Sequence, residues 1–337
     1  MAKSFDVHNL EAGKEPASSS LQDRSRAAVL QKTGIDRSED IRKQLNLPKL
    51  LLNFLTQQFG SNDFCINKDE VTAEDICSET YRATCVLNKQ SVLLKCLPNS
   101  IMCEENKAKI QRWRSKRLIG IQKCIVSFQE GQKEIFVLEV EAESLDRVIK
   151  RLKSNETQID ESQIWCILQR ITKILKALQE KELRYKDLKM DKIYINTDGA
   201  VFLSNPLRYF VDNSIDRDPF AVSDTGSSAI YTPPEVISGE ESCIKSDVWI
   251  LGAIFYELAM QKPAYAIADP ANIFASLNKV VEGNKPENLS SAFSADLQSI
   301  IWSCLSVDTA QRPTLEILIS KATEATRSMD LKNLLQN

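Results

Sequence analysis

The chain of 337 residues contains one histidine, His8, and it lies in a polar stretch with few large apolar neighbours. Without an imidazole elsewhere, Ser-His-Asp hydrolysis, papain-like proteolysis and histidine-ligated metal chemistry are all disfavoured. The nine cysteines run irregularly from Cys65 to Cys304 without a CxxC pair. Such an odd, scattered set speaks against a disulfide framework or a zinc ribbon, and for reduced thiols packed in a core. Any catalysis must therefore run on carboxylates and lysines.

The elements that would position those groups change character along the chain. Residues 1–35 are rich in Ser, Lys, Glu and Gly and read as a flexible leader. Residues 36–60 read as an amphipathic helical segment, with a capped start at DRSEDIRKQL and an apolar face of Leu50, Leu51, Phe54 and Leu55. This face either packs on the following domain or binds a partner. Between Cys65 and Leu97 short runs rich in Val, Ile, Thr and Cys predict strands, including a hairpin around Asn88 and Lys89. A basic stretch at helical density follows, with Lys107, Lys109, Arg112, Arg114, Lys116 and Arg117, and then the strand-like runs CIVSF and IFVLEV. One helix within five strands is the implied small lobe.

After Glu143 the periodicity turns helical. SLDRVIKRL is followed by SQIWCILQRITKILKALQEKEL, in which Ile164, Ile167, Leu168, Ile171, Ile174, Leu175 and Leu178 share a face. Strand signals at 193–195 and 201–203 flank a turn at Asp198 and Gly199, and the remainder to Leu318 is mainly helical. The predicted organisation is a small β-rich lobe over 61–142, a larger helical lobe over 143–325, and a tail over 326–337. The net charge of −3 gives no overall basic field, so nucleic acid is not an expected partner. The start MAKSFDVHNLEAGKE has no apolar signal region and LLLNFL is too short for a membrane span. A cytoplasmic protein is expected, with a nuclear location as the alternative.

Several motifs in order carry a family resemblance. VLLK at Val92–Lys95 resembles the VAIK strand of protein kinases, and YKDLKMDK at Tyr185–Lys192 resembles their catalytic loop HRDLKPEN. TPPE ending at Glu235 resembles APE, DVWILG at Asp247–Gly252 resembles the DxWSxG helix start, and QRP around Arg312 resembles the closing arginine motif. The resemblance covers residues 64–325 and implies an α+β, bilobal protein kinase-like fold. It further implies a buried Glu235–Arg312 ion pair, with Asp247 holding the catalytic loop's backbone.

The positions that carry chemistry in that family read differently. A phosphate cradle needs glycines so that backbone N–H groups can approach the ligand. Aligned back from Tyr81, those positions fall on Ala73, Asp75 and Ser78, and no glycine occurs between Gly60 and Gly120. The helix that should pair a glutamate with Lys95 has no acid between Glu105 and Glu130. Asp187 keeps the base position, but the magnesium-binding asparagine becomes Lys192, with Asp191 beside it as a partial substitute. The DFG triplet becomes Asn205, Pro206 and Leu207, which trades a carboxylate for a neutral amide. Around the adenine gap Leu93 replaces a small alanine and Tyr194 replaces a leucine, both adding bulk, with Leu138 as a further lining residue.

Two readings follow from the resemblance. In the first, the chain is a pseudokinase that needs no cofactor, binds at most weak ATP and no metal, and serves as a scaffold or allosteric partner of other proteins, active kinases among them. In the second it is an atypical serine/threonine kinase or ATP-responsive switch that uses Lys95 and Asp187. Ser214, Ser223, Thr225, Ser227, Ser228 and Tyr231 occupy the place of an activation segment.

Overall fold

The structure, a computed structural model, describes residues 64–75, 78–85, 91–116, 118–139, 142–185, 188–196, 198–207, 229–266 and 273–326. The expected leader, the helix over 36–60, the turn at Asn88 and Lys89, most of the terminal tail, and the activation-segment hydroxyls from Ser214 to Ser228 lie outside the described residues. Two compact units divide the chain. One holds residues through Gln111 together with Gln122–Val140, and the other holds Arg112–Ile121 and the chain from Glu141 onward.

The first unit is built on a five-stranded antiparallel sheet of β1 (Phe64–Asp75), β2 (Ser78–Cys85), β3 (Ser91–Pro98), β4 (Cys124–Glu130) and β5 (Lys133–Glu139), in the order β1-β2-β3-β5-β4. Side chains alternate across a strand, so each strand divides its residues between two faces. Val92, Leu94 and Cys96 of β3 join Tyr81, Ala83, Ile135, Val137 and Phe128 in one apolar cluster. The opposite face carries Leu93 and Lys95. Helix α1 (Glu104–Ser115) opens with Glu104 and Glu105, which pair with Lys107 and Lys109 at 2.9 and 2.8 Å. Both pairs are exposed and contribute little to stability.

The second unit is helical apart from a small antiparallel sheet of β6 (Ala142–Ser144), β7 (Ile193–Asn196) and β8 (Val201–Leu203). Its helices are α2 (Leu145–Ser154), α3 (Glu161–Gln179), the single turn α4 (Pro234–Ile237), α5 (Ile244–Met260), α6 (Ile273–Val281), α7 (Ala295–Cys304) and α8 (Leu315–Ala325). The seven-residue apolar face read from the α3 sequence is buried in full. Asp160 and Gln163 close a reciprocal capping box at its start, which satisfies amide groups the helix leaves unpaired. Helix α5 is buried nearly all round, with Val248, Trp249, Leu251, Ile254, Phe255 and Leu258 at 1% exposure or less, as befits the central element of a helical core. Gly252 lets α7 approach it, for a Cβ there would lie 2.7 Å from the Cβ of Cys304.

The segment Arg112–Ile121 lies inside the stretch read as the small lobe, yet Trp113, Leu118 and Ile121 pack on the core of the second unit. Leu203 N–H donates to the Gly120 carbonyl at 2.8 Å, and Ile121 bridges Leu203 in parallel. Gly120 adopts φ +80°, and a Cβ there would fall 2.3 Å from Ile174 Cγ1, so both backbone and space call for glycine.

Candidate functional site

In the first unit the register of the sheet sets Lys95 between Thr80 and Phe136, and Leu93 between Arg82 and Leu138. These two rows share the face opposite the apolar cluster, so Lys95, Leu93 and Leu138 are brought onto one surface. Leu138 and Phe136 are buried there, while Lys95 and Leu93 are half-buried. The positions aligned with cradle glycines sit on the last rungs of the β1–β2 pairing, with Ala73 opposite Thr80 and Asp75 opposite Ser78. A residue in a regular antiparallel ladder has its amide committed toward the neighbouring strand on alternate rungs.

In the second unit Tyr194 lies on β7 between Ile193 and Ile195, which point into the core and are fully buried. Tyr194 therefore faces the other way. Directly across the ladder stands Phe202 of β8, and the rings stack with centroids 5.7 Å apart and planes 11° from parallel. Burial pushes the Tyr194 phenol above its ordinary value. Phe202 was not among the residues the sequence singled out. The signal for it is the strand alternation itself, since Val201 and Leu203 are buried on the core side.

The loop between α3 and β7 brings the charged candidates together. Lys189, buried, and Lys192, in the turn Met190–Lys192, place their ammonium nitrogens 3.8 and 3.5 Å from the same oxygen, Asp191 Oδ2. These separations are ion pairing and not hydrogen bonding. The second oxygen, Oδ1, is buried without a hydrogen-bond partner. Tyr185, at the position of the family's histidine, reaches Ser204 with its hydroxyl, 3.1 Å from the carbonyl oxygen and 2.7 Å from Oγ. Ser204 N–H donates to the Lys192 carbonyl at 2.8 Å, so the turn and the strand end before Asn205 are tied to each other. Asn205 is half-buried and Leu207 is buried. Lys186 and Asp187 lie outside the described residues.

A divalent cation such as Mg²⁺ wants several hard oxygen ligands at close range. The described residues hold no cluster of three or more His, Cys, Asp or Glu side chains suited to a metal. The carboxylate at 191 is already flanked by two cations. These side chains do not fit a divalent ion. Two of the thiols, Cys96 and Cys304, are poor nucleophiles, because burial pushes both up to about 12.

The junction of Glu235, Asp247 and Arg312 is ordered differently. Arg312 donates to both Glu235 oxygens at 2.8 and 2.7 Å, and Ser246 Oγ donates to Oε1 at 2.7 Å. The guanidinium also donates to the carbonyls of Ser306 and Lys245 at 2.8 and 2.9 Å, and lies 5.1 Å over the Trp249 ring. Burial alone would raise the Glu235 carboxyl, but the hydrogen bonds from Arg312 and Ser246 outweigh it and hold the group below its ordinary value. Asp247 accepts from Arg184 Nη2 at 2.6 Å and Nε at 3.4 Å. Its described partner is thus an arginine side chain, where the resemblance implied loop backbone. Arg184 also donates to Ser242 Oγ and the Cys243 carbonyl at 3.0 and 2.8 Å, fastening the approach to Tyr185 onto the start of α5. Burial pushes Asp247 up, and Arg184 offsets this only in part. In the sequence Arg184 is a lone cation before a loop, with no period or motif to mark it. Tyr231, buried, donates its hydroxyl to Glu257 on α5.

A protein-family profile described as protein kinase domain matches residues 76–324. The chain is 27% identical over 170 residues, half of its length, to the serine/threonine-protein kinase atg1 of Dictyostelium discoideum, of which the match covers 24%. It is 26% identical over 203 residues to the G2-specific protein kinase nimA of Emericella nidulans, covering 52% of this chain and 28% of that one. Against the membrane-associated tyrosine- and threonine-specific cdc2-inhibitory kinase of Drosophila melanogaster it is 29% identical over 210 residues, covering 61% of this chain and 37% of that one. The chain therefore spans well under half the length of these relatives. Among its described residues no helix is long and apolar enough to cross a membrane.

Proposed function

Because the chain belongs to the protein kinase domain family, we propose that it is a pseudokinase, a kinase fold that works by binding other proteins, active kinases among them. The observation that carries this reading is the pairing of Lys189 and Lys192 with Asp191, in the turn where kinases present a metal ligand. Removing one preorganised electrostatic group from an active site costs about 10² to 10³ in rate. The differences at Ala73, Asp75, Ser78, Lys192 and Asn205 together leave little phosphoryl transfer, even though such losses do not simply add. ATP is then no working cofactor, and the cytoplasm is the proposed location. The test is transfer of labelled phosphate to generic acceptors with Mg²⁺ or Mn²⁺, beside an Asp187→Asn control. Equal background from both proteins is expected, and label that disappears in the control sinks the reading.

A second reading, an active kinase using Lys95 and Asp187, is supported equally by the family and by the relatives, which are kinases by name. It is favoured by the placement of Lys95 on one sheet face with Leu93 and Leu138. The same assay decides between them.

A further inference from the structure

We propose that Ser242 is a phosphorylation site, and that its phosphate is received by the Arg184 guanidinium and tightens the hold of α5 on the chain leading into Tyr185. Ser242 stands in a run of exposed residues, 238–244, that joins the turn α4 to the start of α5, so its hydroxyl is open to a modifying enzyme. Gly239 in the same run has φ +89° and nothing within 4 Å of where a Cβ would lie, so the loop stands clear of the core there. Arg184 Nη2 donates to Ser242 Oγ at 3.0 Å, and Nη1 donates to the carbonyl of the same residue. Asp247 fixes the guanidinium from its other edge, accepting from Nη2 at 2.6 Å and from Nε at 3.4 Å. With Asp247 at 9% side-chain exposure and Arg184 at 25%, the cation is anchored on a buried carboxylate and presents its remaining donors to Ser242.

A guanidinium carries five N–H donors in a planar fork that fits phosphate through paired bonds. In the unmodified chain the edge facing Ser242 is spent on a neutral hydroxyl and on the carbonyls of Ser242 and Cys243. A phosphate on Oγ brings about −1.5 to −2 of charge and three strong acceptor oxygens to that edge, while Asp247 keeps the other. Glu240, Glu241 and Asp247 oppose the added charge. The first two are exposed and screened by solvent, and the third is the guanidinium's own partner. Lys245 is directed elsewhere, toward the carbonyls of Arg312 and Pro313, so Arg184 is the cation that meets the phosphate. In the transfer, Ser242 Oγ attacks the γ-phosphorus of a nucleoside triphosphate held by a kinase. The bond from that phosphorus to the β–γ bridging oxygen breaks, the hydroxyl proton passes to the base of that enzyme, and nucleoside diphosphate leaves. Arg184 directly precedes Tyr185, whose hydroxyl engages Ser204, so a firmer grip at 242 bears on the candidate site. The inference goes beyond the pseudokinase reading, because here the chain is the substrate.

The test places phosphoserine at position 242 of the full chain by genetic code expansion and compares it with the unmodified protein. The thermal midpoint is expected to rise by about 2–4 °C, as new charge-assisted hydrogen bonds would produce in a chain of this size. The ³¹P resonance should titrate about one unit below the ordinary second pKa of about 6, a tenfold shift in proton affinity. Arg184→Lys keeps the charge beside Asp247 but loses the fork, and both gains should fall by more than half. Phosphoserine at position 238, in the same exposed loop where the native hydroxyl donates to the Pro234 carbonyl, should show neither gain. A midpoint that is unchanged or lowered with phosphate at 242, or a ³¹P titration that Arg184→Lys leaves unaltered, overturns the proposal. Use of the site is read by peptide mapping of the full chain and its Asp187→Asn form after expression in eukaryotic cells, with phosphate expected on Ser242 in both. Unmodified Ser242 in both overturns the proposal, whereas phosphate found only when Asp187 is intact would overturn the pseudokinase reading alone.

Discussion

Two regions of the helical unit treat charge in opposite ways. At the Glu235–Arg312 junction a carboxylate and a guanidinium are almost wholly removed from water, at 6% and 0% side-chain exposure, and their hydrogen-bonding capacity is met by each other, by Ser246 and by backbone carbonyls. At the Lys189–Lys192 turn one carboxylate, 45% exposed, serves two cations at distances too long for hydrogen bonds. The first arrangement is expensive to disturb because each removed partner strands a buried charge. The second leaves its carboxylate far more exposed to solvent, where a pair contributes less. The residues that keep this fold closed and those that would decide its chemistry are thus separate sets, and one can drift while the other stays fixed.

The sharpest way to break this contrast is Arg312→Met. It leaves Glu235 buried without its guanidinium and should cost about 3–5 kcal/mol, read as a fall in the denaturant midpoint. A loss below about 1 kcal/mol would mean that the junction does not hold the unit together. The same pair predicts an acid response. Since Glu235 titrates below its ordinary value of 4.5 in the folded protein, its contribution is present above that value and is lost as pH falls through the lower folded value. Glu235→Gln should therefore flatten the acid side of the stability profile. Gly252→Ala comes next. With a Cβ 2.7 Å from Cys304 and 3.1 Å from Leu305 Cγ, it should cost about 1–3 kcal/mol through overpacking between α5 and α7. A neutral result would show that this contact can relax.

The fold was more legible in the sequence than the site was. The α3 face and the β7–β8 pair follow from periods of 3.6 and 2, which survive as burial patterns because each element has one side in a core. The Glu235–Arg312 pairing was implied by family resemblance, and its two residues are 77 apart in the chain, a separation no local pattern spans. Arg184 was missed because its partner, Asp247, is chosen by tertiary packing, whereas Phe202 faces Tyr194 across the β7–β8 ladder, where strand alternation already carried the signal. The segment 112–121 was read through its lysines and arginines, although Trp113, Leu118 and Ile121 were the residues that decide where it packs. A charged surface hides an apolar anchor when the two interleave in sequence.

Smaller substitutions sharpen the contrast from the other side. Tyr185→Phe removes only the hydroxyl that engages Ser204 and should cost about 0.5–1.5 kcal/mol, the net worth of a hydrogen bond in a partly buried place. A larger loss would move the turn and the strand end before Asn205 into the structural set, alongside Arg312. Lys192→Asn is the limiting case. It removes one of two cations from a carboxylate that remains paired with Lys189 and open to solvent, so stability should shift by less than about 0.5 kcal/mol. If unfolding instead shows a loss comparable to Arg312→Met, the lysine is part of the frame, and its presence reports a folding requirement. A near-zero change would place this ammonium outside the set of residues that hold the fold, opposite Arg312.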